Sequence, residues 1–143
     1  MSGRSKSFRV RVLTPERVVL DAPALAARVP VHDGSLGILP NHAALLAPVG
    51  IGILSVRGEG GETTEIFVNE GFLEVRDNVV RVVSDTGERF DEVDIERAKE
   101  AEKRARERLA SRLKVDLDLA RAERALLRSL VRQRLVERRA RRR

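Results

Sequence analysis

The sequence predicts an α+β protein in which an antiparallel β-sandwich precedes a two-helix antiparallel hairpin. Up to about residue 88, short apolar runs alternate with Gly, Pro, Asn and Asp, a pattern typical of strands and turns. From Asp91 onward the chain contains no Gly or Pro, and its apolar residues recur at helical spacing. We therefore assign a sandwich domain to residues 8–88, a helical hairpin to 91–137 and a basic tail to 138–143.

The amino-acid composition excludes some classes of function and favours others. The 143 residues allow one full core and a small appended unit, and they include no Cys, which excludes disulfides, thiol catalysis and sulfur-ligated metals. A net charge of +6 favours acidic partners, while an aromatic content of 3% argues against a base-stacking surface for nucleic acid. No apolar run is long enough to span a membrane, and residues 1–7 are polar and basic, unlike a signal peptide.

The strands of the sandwich follow from alternation and turn residues. Phe8, Val10 and Val12 share one face of the first strand because period-two alternation separates them from Arg9 and Arg11. Turn residues at 14–17, 58–62 and 76–78 separate later strands, the last two as hairpins. A loop containing Gly and Pro is expected at 37–42. The predicted strands are 8–12, 18–20, 26–31, 51–57, 63–69, 72–75 and 79–83.

The helices have acidic beginnings and narrow apolar stripes. Asp91 or Asp94 can cap the first helix, and Asp116 or Asp118 the second. The pattern weakens at 111–116, which favours a reversal there, although one continuous helix is also possible. The stripe of the first helix is Ala98, Ala101, Ala105 and Leu109, and that of the second is Leu119, Ala122, Leu126 and Leu130.

Arginines are placed symmetrically about the expected reversal. A turn near residues 114–116 would put Arg97 level with Arg132, and Arg104 level with Arg128. Four clustered guanidinium groups repel one another unless an anion or carboxylate joins them. The alternative is a solvated charged face with helical ion pairs such as Glu100 with Arg104.

Three motifs, in this order and spacing, resemble the epsilon subunit of F-type ATP synthase. They are Gly34-Ser35-Leu36-Gly37-Ile38-Leu39-Pro40-Asn41-His42-Ala43, then Gly71-Phe72-Leu73-Glu74-Val75 with Asn78-Val79, and Val93-Asp94-Ile95-Glu96-Arg97-Ala98. The resemblance covers nearly the whole chain and implies a ten-stranded β-sandwich followed by two helices. Three residues depart from the family pattern: Ser35 replaces a frequent Glu, and Asn41 and Glu70 each replace a usual Gly.

The resemblance implies a non-catalytic part of the central stalk. In that family the sandwich binds the gamma subunit and stands on the c-ring, so that proton flow is coupled to ATP synthesis. Ser35 and His42 correspond to the ring-facing loop. The expected location is peripheral, on the cytoplasmic face of the bacterial inner membrane.

The helices of the family switch between a folded hairpin and an extended form that contacts the catalytic beta and alpha subunits and blocks ATP hydrolysis. Some bacterial members bind regulatory ATP on the folded hairpin; no other cofactor is implied. The matching positions here are Glu88, Asp94, Arg97, Ala98, Arg104, Arg128 and Arg132.

Other functions find less support in the residues. Only His32 and His42 are present, with no serine-nucleophile or phosphate-loop motif, so neither a catalytic site nor a metal site is predicted. The rival hypothesis is a nucleic-acid or anionic-surface module built on the basic helices. For the tail at 138–143 we predict solvated disorder, the alternatives being contact with anionic lipid or with the acidic catalytic head.

Overall fold

The computed structural model describes residues 6–111 and 116–142 of the chain. Its elements form two compact units, Met1–Arg89 and Phe90–Arg143. The first holds β1 Phe8–Leu13, β2 Val18–Val31, β3 Gly34–Ile38, β4 Leu45–Gly58, β5 Thr63–Arg76, β6 Val79–Ser84 and β7 Gly87–Arg89. The second holds a short 3-10 helix, Phe90–Glu92, followed by α1 Ile95–Ala110 and α2 Asp116–Arg141. The predicted fold class is confirmed.

Five strands of the sandwich form a closed ring. Hydrogen bonding runs in the order β1-β6-β5-β4-β2, and pairing of β1 with β2 closes it, while β3 and β7 flank β2 and β5. The pairing of β1 with β6 is parallel, unlike the other pairings of the described residues. The parallel pairing is a detail that the prediction of an antiparallel sandwich did not include.

The number of strands also differs from expectation. The predicted strands 18–20 and 26–31 are halves of β2, and 63–69 and 72–75 are halves of β5. Residues 6–111 and 116–142 contain seven strands where the resemblance implied ten, because β2, β4 and β5 each extend over 14 residues. β5 changes neighbours along its length: residues 66–68 pair with β7, and residues 71–76 pair with β6.

A backbone irregularity separates the two halves of β5. Glu70 has a φ of 54° and Gly71 a φ of 138°, both in the region that favours glycine. A Cβ atom at position 71 would collide with the carbonyl oxygen of Val83 on the adjacent strand. Glycine is therefore required here if β5 is to stay paired with β6.

The core of the sandwich is made of branched aliphatic residues from alternate strand positions. Val10 and Val12 are fully buried, as the alternation in the first strand predicts, and they pack with Leu54, Ile66 and Leu73. Each such side chain contributes about 1.5 to 3 kcal/mol when it is removed from water. The interior is therefore the main source of stability of this unit.

The helices form an antiparallel hairpin. Asp94 caps α1, its Oδ1 accepting a hydrogen bond of 3.0 Å from the Arg97 backbone N–H, which selects Asp94 over Asp91. Ala98, Ala105 and Ala122 are buried, as the predicted stripes require. The predicted reversal near residues 114–116 lies largely outside the described residues. Asp116 and Asp118, the predicted caps of the second helix, are the first and third residues of α2, so the prediction that Asp118 caps it is wrong. Ser129, Val131 and Leu135 are also buried, although no predicted stripe contains them.

Residues 138–141 of the basic tail are helical, which corrects the prediction of disorder for this part of the tail. α2 continues through Arg141, and the Arg139 guanidinium lies 4.7 Å from the centroid of the Phe90 ring. Arginine is a good helix former, and the negative end of the helix dipole favours cations in the last turn. Contact of these arginines with lipid stays a prediction. Among the described helices, none is long and apolar enough to cross a membrane.

Candidate functional site

An apolar surface lies on the outward face of three neighbouring strands. Phe72 on β5 is opposite Pro48 on β4 and Val83 on β6, and Leu46 lies two residues before Pro48, a spacing that keeps it on the same face. Phe72 is 64% exposed and Leu46 is 72% exposed, although both belong to regular strands. We call Leu46, Pro48, Phe72 and Val83 the apolar surface. Adjacent exposed apolar side chains of this size mark a site of protein interaction.

A charged row borders the apolar surface on the same sheet. Strand register places Arg11 of β1 beside Arg81 of β6, and Arg81 beside Glu74 of β5. Arg81 Nη1 lies 3.6 Å from Glu74 Oε1, and at the other end of the row Arg9 Nε lies 2.7 Å from Asp21 Oδ1. The hydrogen bond from Arg9 holds the pKa of Asp21 below its usual range. The row offers both signs of charge beside the apolar residues.

The expected ring-facing residues lie at different places around β3. Ser35 lines an open groove of about 370 Å³ together with His32, Asp33 and Pro48. His42 lies in the loop after β3, where its Nδ1 is 2.7 Å from the Ala43 carbonyl oxygen; it does not line this groove. One partner can therefore contact both Ser35 and His42 although the two residues do not line the same groove.

Asn78 holds the loop that carries His42. Its Oδ1 accepts a 2.8 Å hydrogen bond from the Asn41 backbone N–H, and its Nδ2 donates to the Ser7 carbonyl oxygen, also at 2.8 Å. The side chain thus joins the loop to the start of β1. The sequence marks Asn78 as a turn residue of the 76–78 hairpin and as part of a motif, but its hydrogen-bond partners could not be predicted because they are distant in the chain.

Two departures from the family pattern have a common backbone explanation. Asn41 has a φ of 64° and Glu70 a φ of 54°, so both occupy the left-handed region where the family usually has Gly. Asn adopts this conformation at small cost, whereas Glu is strained by about 1 to 2 kcal/mol. Both positions therefore keep the left-handed backbone conformation although neither residue is glycine.

The predicted nucleotide residues are divided between the two units. Glu88 belongs to β7, opposite Phe67, whereas the other six belong to the helical unit. Asp94 and Arg97 meet at the start of α1, where buried Ala98 follows. Arg104 Nη1 lies 4.0 Å from Glu100 Oε2, the ion pair expected for a solvated face. Arg128 and Arg132 are half-buried on α2, and their joint action on a nucleotide stays a prediction.

Glu102 is a polar link between the helices that sequence analysis missed. Its Oε2 accepts a 2.8 Å hydrogen bond from Gln133 Nε2 of α2, and its Oε1 lies 3.0 Å from Arg106 Nη2. These bonds, the one from Gln133 first, lower the pKa of Glu102. A half-buried carboxylate with both oxygens bonded fixes the two helices beside each other.

The apolar surface was also missed, although a signal was present. Alternation along 72–75 puts Leu73 and Val75 on the core side and Phe72 with Glu74 outside, so an aromatic residue on the polar face could have been noticed. As for metals, nowhere in residues 6–111 or 116–142 do three or more His, Asp or Glu side chains cluster so as to hold an ion.

Comparison with known proteins covers both units. Residues 7–90 match the family model described as the ATP synthase delta/epsilon chain beta-sandwich domain, and residues 91–137 match its long alpha-helix domain. An ATP synthase epsilon chain of Symbiobacterium thermophilum is 47% identical over 86% of this chain and 88% of its own length. One from Moorella thermoacetica is 41% identical over 88% of this chain and 93% of its own length.

Solved structures share the fold. A chain in the cryo-EM structure of the Euglena gracilis mitochondrial ATP synthase, titled OSCP/F1/c-ring, gives a TM-score of 0.80 at 23% identity, covering 90% of this chain and 81% of that one. A chain in the cryo-EM structure of the Tetrahymena thermophila mitochondrial ATP synthase central stalk and c-ring gives a TM-score of 0.61 at 15% identity. The match covers 94% of this chain and 99% of that one. With both domains matched in the family's order, the chain belongs to the ATP synthase epsilon-chain family.

Proposed function

We propose that this chain is a non-catalytic rotor subunit in the central stalk of a proton-translocating F-type ATP synthase, peripheral to the cytoplasmic face of a bacterial inner membrane. The observation that carries the proposal is the apolar surface on a sandwich of the epsilon-chain family. Structural relatives come from assemblies whose titles name a c-ring and a central stalk. A stalk subunit must bind tightly while it transmits torque, and it needs no reactive side chain to do so.

The apolar surface is the proposed docking site for the gamma subunit. Phe72 lies between Pro48 and Val83 and is 64% exposed, so a partner that covers it removes a large aromatic side chain from water. Aromatic anchors with a polar border are typical of the residues that dominate binding energy. Arg81 and Glu74 in the bordering charged row would set the register of the complex without adding much affinity.

Substitution of the anchor tests this docking site. We expect Phe72→Asp to raise the dissociation constant for the catalytic head containing gamma by about 30-fold or more, as for other interface hot spots. Leu39→Asp is the matched control, because Leu39 is 63% exposed but lies outside the apolar surface. Binding is measured by surface plasmon resonance on the head without the c-ring, so that ring contacts do not contribute. Equal binding by both variants would exclude the apolar surface as the gamma site.

The other end of the contact is the c-ring. We assign it to the loop of His42 and to Ser35, with Asn78 holding the loop in place through its two hydrogen bonds. Ser35 lines the open groove between β3 and the start of β4, which is wide enough to accept a side chain from a loop of the ring. This assignment follows the family resemblance at residues 34–43.

The helical unit is the proposed inhibitor of ATP hydrolysis. Its exposed arginines can contact acidic segments of the catalytic beta and alpha subunits when the hairpin opens. ATP bound by Glu88, Asp94, Arg97, Ala98, Arg104, Arg128 and Arg132 would favour the folded form only to the extent that it binds this form better. Because Asp94 Oδ1 already caps α1, its second oxygen is the one left for a ligand.

Calorimetry tests the nucleotide site. Arg128→Ala should weaken ATP binding to the isolated chain at least 10-fold, because the loss of a charge-assisted contact costs about 1.5 to 3 kcal/mol. Arg134→Ala removes the same charge from an exposed position on the same helix and should bind ATP like the unaltered chain. An Arg128→Ala variant with unchanged affinity would remove Arg128 from the site.

A further inference from the structure

Arg139 forms a contact that no predicted function of the chain requires. Its guanidinium carbon lies 4.7 Å from the centroid of the Phe90 ring, within the range of a cation–π interaction. Phe90 is half-buried and directly follows Arg89, the last residue of β7. The contact therefore joins the last turns of α2 to the segment through which the sandwich continues into α1.

The two residues lie at the margins of the family domains. The match to the sandwich domain ends at residue 90, and the match to the helical domain ends at 137. α2 continues beyond that point to Arg141 without interruption. Arg139 thus belongs to a helical extension outside both matched domains, and its neighbours Arg138 and Arg141 are exposed.

We infer that Arg139 and Phe90 form a latch that holds the helical hairpin closed at its open end. The covalent connection between α1 and α2 fastens one end of the hairpin, and the Glu102–Gln133 hydrogen bond links its middle. The latch lies at the remaining end, beside the start of α1. The C-terminal end of α2 can move away from α1 only after this contact breaks.

The contact is strong enough to bias the hairpin without locking it. A cation–π pair at a partly exposed position changes a two-state equilibrium about two- to fivefold. The other buried residues of the helices are few: Ala98, Ala105 and Ala122, which bury little area each, Ser129, and the larger Val131 and Leu135. A single aromatic contact therefore has a measurable share in keeping the hairpin closed.

Spin-label distances on the full-length chain test the latch. The chain has no native Cys, so labels at Lys99→Cys and Arg134→Cys, on exposed positions of α1 and α2, report on their separation. We expect Arg139→Ala to raise the population of the long distance about two- to fivefold. Arg141→Ala removes the same charge from the same last turns and should leave the distribution unchanged. Equal distributions for Arg139→Ala and Arg141→Ala would overturn the latch.

A double-mutant cycle separates the contact from general effects on the helix. Phe90→Leu keeps an apolar side chain and should open the hairpin as much as Arg139→Ala does. The double variant should open it no further than either single variant, since both remove one interaction. Additive effects of the two substitutions would show that the residues act separately and would also overturn the latch.

The consequence for hydrolysis rests on the proposed function and is tested separately. When added to the catalytic head, the Arg139→Ala variant should inhibit ATP hydrolysis at a concentration two- to fivefold lower than the unaltered chain. This factor should match the increase in the population of the long spin-label distance. If the distances change and inhibition does not, the latch is supported and the inhibitory role of the opened helices is excluded. If the distances do not change, the latch is excluded whatever the inhibition.

Discussion

The sandwich and the helical unit bury different kinds of side chain. In the sandwich, branched and aromatic side chains such as Leu54, Ile66 and Phe67 are completely removed from water. Among the described residues of the helical unit six are buried: three are alanines, one is Ser129, whose Oγ donates to the Leu126 carbonyl oxygen at 2.7 Å, and two are the larger Val131 and Leu135. An alanine methyl group buries a small fraction of the area of a leucine, so each alanine contact contributes less free energy.

The difference separates a permanent structure from a separable one. A closed ring of five strands must unfold as a whole, because each strand is hydrogen-bonded within the ring. Two helices that bury three alanines, Ser129, Val131 and Leu135 and share a few polar links bury far less than the sandwich core, so they can part at lower cost. The chain thus combines a unit suited to transmitting force with a unit suited to changing conformation.

The largest expected effect comes from breaking the ring at β5. Gly71→Ala should lower the free energy of unfolding by about 3 kcal/mol or more, because the new Cβ meets the Val83 carbonyl oxygen at a φ of 138°. Thermal denaturation followed by circular dichroism measures the loss. Gly37→Ala is the control: no atom lies within 4 Å of its added Cβ, and its stability should change by less than about 1 kcal/mol. A stable Gly71→Ala variant would contradict the described β5–β6 pairing.

An intermediate effect is expected in the helical unit. Leu135 is 1% exposed, and Leu135→Ala should lower the stability of the hairpin by about 2 to 3 kcal/mol through lost burial and a cavity. Amide hydrogen exchange should show faster exchange in α1 and α2 while the amides of β4 and β5 keep their protection. Leu127→Ala, at a position 44% exposed, should have less than half this effect. Equal loss of protection in the strands would show that the two units do not differ in the way proposed.

The smallest effect concerns acid. The pKa of Glu102 is lowered in the folded hairpin, so the stability it provides is complete above its unfolded value, near 4.3, and is lost as the pH falls through the lower folded value. The protection factors of the α1 amides, which correct the exchange rates for their intrinsic pH dependence, should therefore fall as the pH drops through this range. Glu102→Gln should reduce this dependence, whereas Glu107→Gln, at an exposed position on α1, should preserve it. An unchanged profile for Glu102→Gln would show that another group responds.

Local patterns were enough to predict the two units and much of their interior. Alternation placed Val10 and Val12 in the core, and the helical stripes placed Ala98 and Ala105 at the interface. The motifs led to the family, and comparison confirmed it. These features depend on residues that are close in the chain, where periodicity and capping preferences act directly.

Features that depend on distant partners escaped prediction. The predicted strands 18–20 and 26–31 are one strand, β2, because the residues between them pair with β1, Pro23 lying opposite Arg9. β7 has three residues, too few for any periodicity, and is stabilised by pairing with β5. The arginine-rich end was expected to be a solvated, disordered tail, but the helix dipole and the ring of Phe90 both stabilise a helix there.

The length of α2 gives the Phe90–Arg139 contact a mechanical meaning. Its 26 residues form a rod of about 39 Å, and the 16 residues of α1 add about 24 Å at a rise of 1.5 Å per residue. In a straightened arrangement Arg139 would move from beside Phe90 to a point about 60 Å away. Parting the contact itself takes a displacement of only an ångström or two. If the hairpin opened in this way, breaking one short contact would allow the C-terminal end of α2 to move by about the length of a domain.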